Sequence, residues 1–468
     1  MAASSTDAAL AVTRLGLGAR PGEIARVAAD PRAWALAQIR PEGTAQPAGT
    51  FASADQRMAA FLDYQADRGQ PATADAEAVR LARQAARRAL VEDTAQAFLA
   101  RAQLGATTAD GFAERWALFW ANALTVSAVK FDSGAFIDLY EREAIRPNVF
   151  GRFEDLVVAA EQHPAMLLYL DQARSTGPDS PAGTRRKVGL NENLAREMLE
   201  LHTVGADAGY SQADVTELAR ALTGWSIPRP QDRQAPAGRR RARQAAEPGP
   251  NGFVFRANIH EPGPRTVMGR TYGQTGAAQG EAILRDLARH PETARRLSRR
   301  IAAHFVSDTP PETLVARLEQ AWTRSDGDLA QVARALVEAP ETWTPQPTKI
   351  KTPYEFIVST HRALDVPPQR IQPLRQALVE MGQPLFAAPS PEGWPDTAAD
   401  WAGPDALVKR LNWARTAAET ARTADIVATA NDALGDRLSQ RTGLAVARAE
   451  SRTEALTLLL MSPEFQRR

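Results

Sequence analysis

The chain of 468 residues carries 56 lysines and arginines against 55 aspartates and glutamates, which gives a formal net charge of +1. A charge this close to zero provides no overall attraction to nucleic acid or to an anionic membrane. The sequence contains no cysteine. This excludes disulfides, thiolate nucleophiles and cysteine zinc sites, and it leaves histidines and carboxylates as the protein ligands for a metal.

The length exceeds what a single small core requires, so we expect one large helical domain over residues 1–468 or two closely packed halves, 1–227 and 252–468. The sequence begins MAASSTDAALAVTRLGLGARPGE, without a basic region followed by an apolar run. No signal peptide is therefore predicted, and the protein is expected to be cytoplasmic, although an exported mature form would look the same. No segment approaches the roughly 20 apolar residues of a membrane span, so membrane insertion is not expected.

Apolar residues recur at intervals of three and four along most of the chain, for example in ADAEAVRLARQAARRALVEDTAQAFLARAQL and DGFAERWALFWANALTV. This period is typical of amphipathic α-helices, and alternating β-branched runs are rare. The predicted fold class is all-α, with one small β-hairpin near 252–272. There Phe253 and Phe255 alternate, and an EPGP turn separates two short extended runs.

Residues 228–251 mix Arg, Pro, Gly and Gln without apolar periodicity, which predicts a mobile surface loop. The loop contains RRRAR at 239–243. Such a basic run is a possible patch for nucleic acid or an acidic partner. It lacks the interleaved aromatic residues that stack on single-stranded bases, so a solvated loop is favoured and nucleic-acid binding is not expected.

The segment NENLAREMLELHTVG, residues 191–205, is the densest group of chemically active side chains. On an α-helix Glu197 and Glu200 share a face, whereas His202 lies about 200° around the helix from Glu200. These three side chains therefore cannot all converge from one straight helix. A convergent site requires groups from a neighbouring element.

A second helix follows in DAGYSQADVTELARALTGW, with Ser211 as the N-cap and Asp214 in a capping-box position. The short turn makes the helices 191–203 and 211–224 a packed pair, so their polar groups can face each other. The first hypothesis is a metal-dependent or acid/base enzyme with a site between these helices. Its residues are Glu197, Glu200 and Arg220 in catalysis and His202, Asp214 and His260 as ligands of a divalent metal.

The competing interpretation of the same residues is structural. Asn191 would cap the first helix, Arg196 would pair with Glu192 or Glu200, and His202 would lie in the last turn before Gly205. The known zinc-protease and di-metal helix spacings are absent. The second hypothesis is therefore a noncatalytic scaffold in which the polar block fixes the crossing of two helices.

The remaining histidines and one Pro-rich segment receive simpler interpretations. His163 and His290 each precede a proline at a helix start, which favours capping. His304 and His361 lie among apolar residues on helices, which favours packing. The segment FAAPSPEGWPD, residues 386–396, is predicted either to wrap a cleft as a rigid loop or to tie the last helices to the body.

Motifs spread over nearly the whole chain resemble the large bacterial domain-of-unknown-function family 1800. They are LGLGARPGE, FWAN, RPNVFGRFEDL, HPAMLLYLDQARS, NENLAREMLELHTVG, GYSQADVTELARALTGW, VMGRTY, KTPYEFIVSTHRAL, PLFAAPSPEGWPD and SPEFQRR. The resemblance implies a mostly α-helical fold, with residues 191–205 and the helix after them as the hallmark block, and it implies no reaction. It also implies a partner, a protein of unknown-function family 1501, which resembles alkaline phosphatases and sulfatases.

The chain departs from that resemblance at one position. Similar sequences tend to have a histidine after the asparagine of the FW motif, whereas this chain reads FWANALTVS, with Ala123 in that place. If that histidine belonged to a shared site, this protein has lost a ligand or base there and keeps Asn122.

Overall fold

The structure is a computed structural model, and it describes residues 5–68, 76–186, 189–233, 246–346, 348–423 and 425–468. Helices account for 63% and strands for 4% of the protein, which confirms the predicted mostly α-helical class. Within the described residues, no helix combines the length and apolar composition that a membrane span requires.

The helices follow one another along the chain with short connections. The α-helices are Ser5–Leu10, Glu23–Val27, Pro31–Leu36, Ala54–Arg68, Ala76–Thr107, Gly111–Ala123, Phe131–Gly134, Ile137–Tyr140, Phe153–Gln162, Pro164–Tyr169, Gly183–Arg186, Asn193–Glu197, Gln212–Leu222, Pro230–Arg233, Ala277–Arg289, Pro291–Phe305, Glu312–Arg324, Leu329–Glu338, Pro353–Ala363, Ile371–Glu380, Ala398–Trp401, Pro404–Thr420, Ile426–Leu434, Gln440–Ala447, Arg452–Leu460 and Pro463–Gln466. The π-helical turns are Ala11–Leu15, Glu141–Ile145 and Met198–His202, and the 3₁₀ turns are Gln172–Arg174, Pro250–Gly252, Ala257–Ile259, Pro340–Trp343 and Gly435–Arg437.

Polar caps begin several of these helices as the sequence predicts. His163 and His290 each accept a backbone hydrogen bond through Nδ1 at the start of a helix, from Ala165 and Glu292. A capping box at Thr352 fixes the carboxylate of Glu355. The Glu355 carboxylate accepts from the Thr352 N–H at 2.8 Å, while the Thr352 hydroxyl accepts from the Glu355 N–H at 3.3 Å.

In the part of the chain that the structure describes, five short strands form two small antiparallel sheets: β1 (Trp225–Ser226), β2 (Ala246–Pro248), β3 (Val254–Arg256), β4 (Arg265–Val267) and β5 (Arg270–Tyr272). In the three-stranded sheet β3 lies between β1 and β2, and β4 pairs with β5. The hairpin predicted near 252–272 is therefore present, but its strands are β4 and β5, which Met268 and Gly269 connect. The EPGP turn does not join paired strands, because the strand before it pairs elsewhere.

The predicted loop 228–251 is only partly described. Its flanks form the helix Pro230–Arg233 and strand β2, whereas the RRRAR run lies outside the described residues. Trp225 and Phe253, on either side of this segment, belong to the same large core. The division of the chain at this segment stays a prediction.

Two hydrophobic cores fill the interior. The larger core draws on residues between 8 and 343 and is centred on aromatic side chains such as Trp116, Trp120 and Trp322. The smaller core combines Leu17 and residues 95–102 with residues 354–465. The long helix Ala76–Thr107 therefore contributes its C-terminal part to the core built by the last third of the chain.

We predict that Trp116→Ala lowers the free energy of unfolding by about 3–5 kcal/mol, because it leaves a large cavity in the larger core. Trp116 is fully buried, its indole N–H donates to the Val149 carbonyl at 2.7 Å, and its ring stacks on Phe150. Denaturant unfolding measures the change. Val379→Ala, at a side chain that is 54% exposed, should stay within about 0.5 kcal/mol; equal effects of the two substitutions would contradict this account of the core.

Candidate functional site

The predicted helix pair exists and is joined by direct hydrogen bonds. The Glu192 carboxylate accepts from the Thr216 hydroxyl at 2.7 Å and from the Gln212 amide at 2.8 Å. Arg196 donates to Gln212 at 2.9 Å and forms ion pairs with Glu192 and Glu200 at 3.6 and 3.5 Å. The bonds to Gln212 and Thr216 connect the two helices, and the ion pairs of Arg196 with Glu192 and Glu200 are those that the structural interpretation predicts.

Two of the three residues predicted to be catalytic have separate hydrogen-bond partners. Glu200 accepts from the Tyr210 hydroxyl at 2.7 Å, and Arg220 donates to Glu217 at 2.5 Å. Glu197 is half-buried, and burial raises the pKa of its carboxyl group. The nearby carboxylates Glu200 and Glu161 raise this pKa further, whereas His202 and Arg196 lower it. Their catalytic roles stay a prediction.

His202 lies where the regular helix predicted from sequence would not place it. Residues Met198–His202 form a π-helical turn, whose wider winding changes the angular spacing of the side chains. His202 is fully buried, and its Nδ1 lies 2.5 Å from Oε1 of Glu161, which is also fully buried. His202 therefore packs against the helix Phe153–Gln162 and does not face exposed carbonyls in a last turn.

The other predicted metal ligands lie apart from His202. The Asp214 carboxylate accepts hydrogen bonds from Ser211 and Met268. Burial favours its neutral form, but these hydrogen bonds lower its pKa below the ordinary value. His260 Nδ1 donates to the Thr223 carbonyl at 2.7 Å. In the part of the chain that the structure describes, no three His, Asp or Glu side chains form a group suited to a metal ion. The predicted ligands His202, Asp214 and His260 are thus not brought together.

A cavity of about 130 Å³ lies elsewhere, between the two cores; we call it the inter-core cavity. Its walls come from the helix Gly111–Ala123, from the end of the helix Pro291–Phe305, from the start of the helix Pro353–Ala363 and from the segment 384–396. Its polar lining residues are Arg101, Arg115, Asn122, Thr125, Tyr140, Glu141, His304, Thr352, Tyr354, Glu355, Gln383 and Asp396. The cavity therefore brings charged and polar groups together around a space that can admit a small molecule.

A histidine–carboxylate pair lies in the wall of the inter-core cavity. His304 Nδ1 is 2.7 Å from Oδ2 of Asp396. Burial lowers the pKa of His304 to about 4, although Asp396 opposes this shift. Burial favours the neutral form of Asp396 too, but His304, Arg468 and Lys349 outweigh it and lower the pKa of this carboxyl. At neutral pH the imidazole is therefore uncharged, Nδ1 carries the proton that Asp396 accepts, and Nε2 has a free lone pair.

Buried cations hold the second carboxylate of this wall in place. Glu355 forms ion pairs with Arg115 and, at 3.2 Å, with Arg468. Arg468 also reaches Asp396 at 3.2 Å and donates to the backbone carbonyl of His304. Although burial favours neutral Glu355, these guanidinium groups hold its pKa well below the usual range. The cluster therefore keeps Glu355 and Asp396 ionised. It also links the helices Pro291–Phe305 and Pro353–Ala363 to the segment that carries Asp396.

The segment 386–396 is the wall that carries Asp396, and Asn122 fixes it. The Asn122 side chain accepts from the Trp394 N–H at 2.7 Å and donates to the Trp394 carbonyl at 3.0 Å. Gly393 has φ +96°, and a Cβ there would collide with the Asn122 backbone, so the close approach requires glycine. The segment therefore wraps the cavity, which is one of the two roles predicted for it.

Ala123, the position of the departure from the family pattern, is buried in the larger core.

Arg101 and Tyr354 also belong to the lining of the inter-core cavity. Arg101 pairs with Glu141 at 2.8 Å, and its guanidinium lies over the ring of Tyr354 at 4.8 Å. Burial raises the pKa of Tyr354 to about 12, so its hydroxyl stays protonated. Among the described residues, Arg101 Nε, the Tyr354 hydroxyl and His304 Nε2 are buried without a hydrogen-bond partner. Other buried side-chain atoms of the described residues, such as Trp120 Nε1 and Trp225 Nε1, also have no hydrogen-bond partner.

We predict that stability falls as the pH is lowered from 6.5 to about 4, in part because of His304. Its pKa is about 6.5 in an unfolded chain and about 4 in the folded protein, so the unfolded state binds more protons in this window. His304→Gln should remove roughly 3 kcal/mol of this pH dependence. Denaturant unfolding of both proteins at pH 7 and pH 4 measures the difference, and parallel curves would contradict a neutral, buried His304.

Comparison with known proteins supports family membership and nothing finer. The model of the family described as "Protein of unknown function (DUF1800)" matches residues 10–467. No curated protein and no solved structure matches the chain significantly. Since the family model covers nearly the whole chain, including every wall of the inter-core cavity, the protein belongs to the DUF1800 family.

Proposed function

We propose that this protein is an acid–base enzyme in which His304 acts as the general base inside the inter-core cavity. One observation carries the proposal: Nδ1 of His304 lies 2.7 Å from the Asp396 carboxylate, while Nε2 is buried and without a hydrogen-bond partner among the described residues. A histidine so oriented can take a proton from a bound molecule that lies against the cavity wall.

The neighbours of His304 suit this role. Asp396 fixes the ring orientation and the tautomer, and its negative charge stabilises the imidazolium that forms when Nε2 takes a proton. Arg468 and Lys349 fix Asp396 in turn, the first at 3.2 Å and the second at 3.3 Å. The lowered pKa of His304 keeps the imidazole unprotonated over the neutral range, and it also makes Nε2 a weaker base than a free imidazole.

The scaffold hypothesis is the second candidate function, and the hydrogen-bonded helix pair favours it. Within the hallmark block, Glu192 and Arg196 of the first helix bond to Gln212 of the second helix. Such bonds suit a structural role. We propose that in this role the chain assembles with a sulfatase- or phosphatase-like protein of unknown-function family 1501. Retention of that protein by the tagged full chain, lost when Arg196 and Gln212 are both replaced by Ala, would support it.

We predict that the wild-type protein catalyses proton transfer or hydrolysis on a small compound and that His304→Gln loses at least about 100-fold in rate. The measurement incubates the protein with small ketones, aldehydes, esters and hydroxy acids in D₂O. Nuclear magnetic resonance then follows deuterium incorporation and hydrolysis.

His290→Gln is the matched control, because His290 begins the same helix and only caps it. It should retain the wild-type rate, and so should Glu197→Gln in the hallmark block. Equal rates for the wild type and His304→Gln, or no conversion of any compound, would overturn the proposal.

A further inference from the structure

We propose that an open groove on the protein surface binds a medium-chain carboxylate, with the hydrocarbon tail on the apolar floor and the carboxylate paired with an arginine of the lining. The groove is formed by the helices Ala76–Thr107 and Ile371–Glu380 and by the segments 128–135 and 384–386. We call it the arginine groove. Neither His304 nor Asp396 lines it, so the inference is independent of the proposed function.

The floor of the arginine groove exposes apolar side chains to water. Val91, Val129 and Val379 are 44%, 63% and 54% exposed, and all three belong to the lining. Phe131 and Phe386, each partly buried, add their rings to the same surface. A hydrocarbon chain in the groove would remove this surface from water, which is favourable in proportion to the apolar area covered.

The exposed apolar surface at the groove is compact. Among the residues whose side chains the structure describes, Leu81 is the one further exposed large apolar side chain on the elements that form the groove. It lies ten residues before Val91 on the same helix, about 15 Å along the axis. A stable protein interface buries about 800 Å² on each partner. Three partly exposed valines do not supply an apolar centre of that size, so the patch suits a small ligand.

The charge of the lining is positive. Arg87 and Arg375 are its charged residues, and no described Asp or Glu lines the groove. The Arg87 guanidinium lies over the ring of Phe131 at 4.9 Å, a contact that leaves its N–H groups free to donate. Within the described part of the chain, neither arginine pairs with a carboxylate. An anionic head group would complete these guanidinium groups with charge-assisted hydrogen bonds.

The lining does not suit a peptide. Thr94 carries the uncharged polar side chain of the lining, and its hydroxyl already donates to the Leu90 carbonyl at 3.0 Å. A peptide has an N–H and a C=O at each residue, and these groups would lose water on the apolar floor without gaining a partner. A hydrocarbon chain has no such groups. The groove therefore favours a simple acyl chain that ends in a carboxylate.

The volume sets the length of that chain. The groove encloses about 330 Å³, near the lower limit of roughly 300 Å³ for ligand pockets. Because a cavity of roughly 150 Å³ holds benzene, about twelve non-hydrogen atoms fit here. Decanoate has this size and joins a carboxylate to an apolar tail, so it is the appropriate probe.

The test titrates decanoate, below the concentration at which it forms micelles, into the full-length protein by isothermal titration calorimetry. We expect one decanoate to bind per chain. Replacing Arg87 and Arg375 together by Gln should weaken binding by at least about tenfold, because the charge-assisted hydrogen bonds are lost. The two single substitutions identify the arginine that pairs with the carboxylate. Val379→Asp, which places a like charge in the floor, should weaken binding by a similar factor.

Matched control variants make the same changes outside the groove. Val408→Asp alters a valine that is 56% exposed, and Arg415→Gln alters an exposed arginine on the same helix, Pro404–Thr420. Both should bind decanoate as the wild type does. His304→Gln should also bind it normally, which separates this inference from the proposed acid–base function.

Two further compounds test the ligand class. Butyrate keeps the carboxylate but shortens the tail, and decyltrimethylammonium keeps the tail but reverses the charge, so each should bind at least about tenfold more weakly than decanoate. The assignment is overturned if decanoate does not bind, if the double arginine variant or Val379→Asp binds it normally, or if the cationic compound binds equally well. Binding of an acidic amphipathic peptide in place of decanoate would assign the groove to a protein partner instead. A dimer in solution that Val379→Asp dissociates would assign it to a second copy of the chain.

Discussion

The buried ion-pair cluster around Glu355 is the constraint on which the arrangement of the candidate site depends. Arg115, Glu355 and Arg468 are each almost fully buried, and a charge removed from water must be paired to be tolerated. The three residues come from distant parts of the chain, so pairing them requires the two hydrophobic cores to meet at one place. The inter-core cavity lies beside this meeting point, and Asp396 and His304 are attached to the same cluster.

This arrangement explains how a mostly helical protein can hold a polar cavity between two apolar cores. Each lining carboxylate keeps its charge because a guanidinium or ammonium group lies against it, and the backbone contributes through the capping box at Thr352. The cluster thereby fixes the positions of His304, Glu355 and Asp396. Among the described residues, His304 Nε2, the Tyr354 hydroxyl and Arg101 Nε are buried without a hydrogen-bond partner.

Local sequence patterns were sufficient to predict the helical class, the caps at His163 and His290, the capping box at Ser211 and Asp214, and the packing of the helices 191–203 and 211–224. Each depends on residues a few positions apart. The inter-core cavity could not be found this way, since His304 and Asp396 are 92 positions apart. The apolar neighbours of His304 favoured a packing role. The one available indication was the predicted wrapping of the segment that contains Asp396.

The hallmark block shows a different limit of sequence reasoning. Its density of Glu, Arg and His suggested a site, but Glu192 and Arg196 bond across the helix pair and His202 pairs with Glu161 on another helix. The straight-helix geometry assumed for His202 does not apply, because residues Met198–His202 form a π-helical turn. Local sequence patterns did not indicate this turn or the contact between His202 and Glu161, which are 41 positions apart.

The protonation state of His304 tests the central claim most directly. Long-range ¹H–¹⁵N correlation spectra, with the His304 signals assigned by comparison with His304→Gln, report which ring nitrogen carries the proton. We predict a neutral ring from pH 5.5 to pH 8, with the proton on Nδ1 and a free lone pair on Nε2. A charged imidazolium at pH 7, or a proton on Nε2 in the neutral ring, would contradict the account.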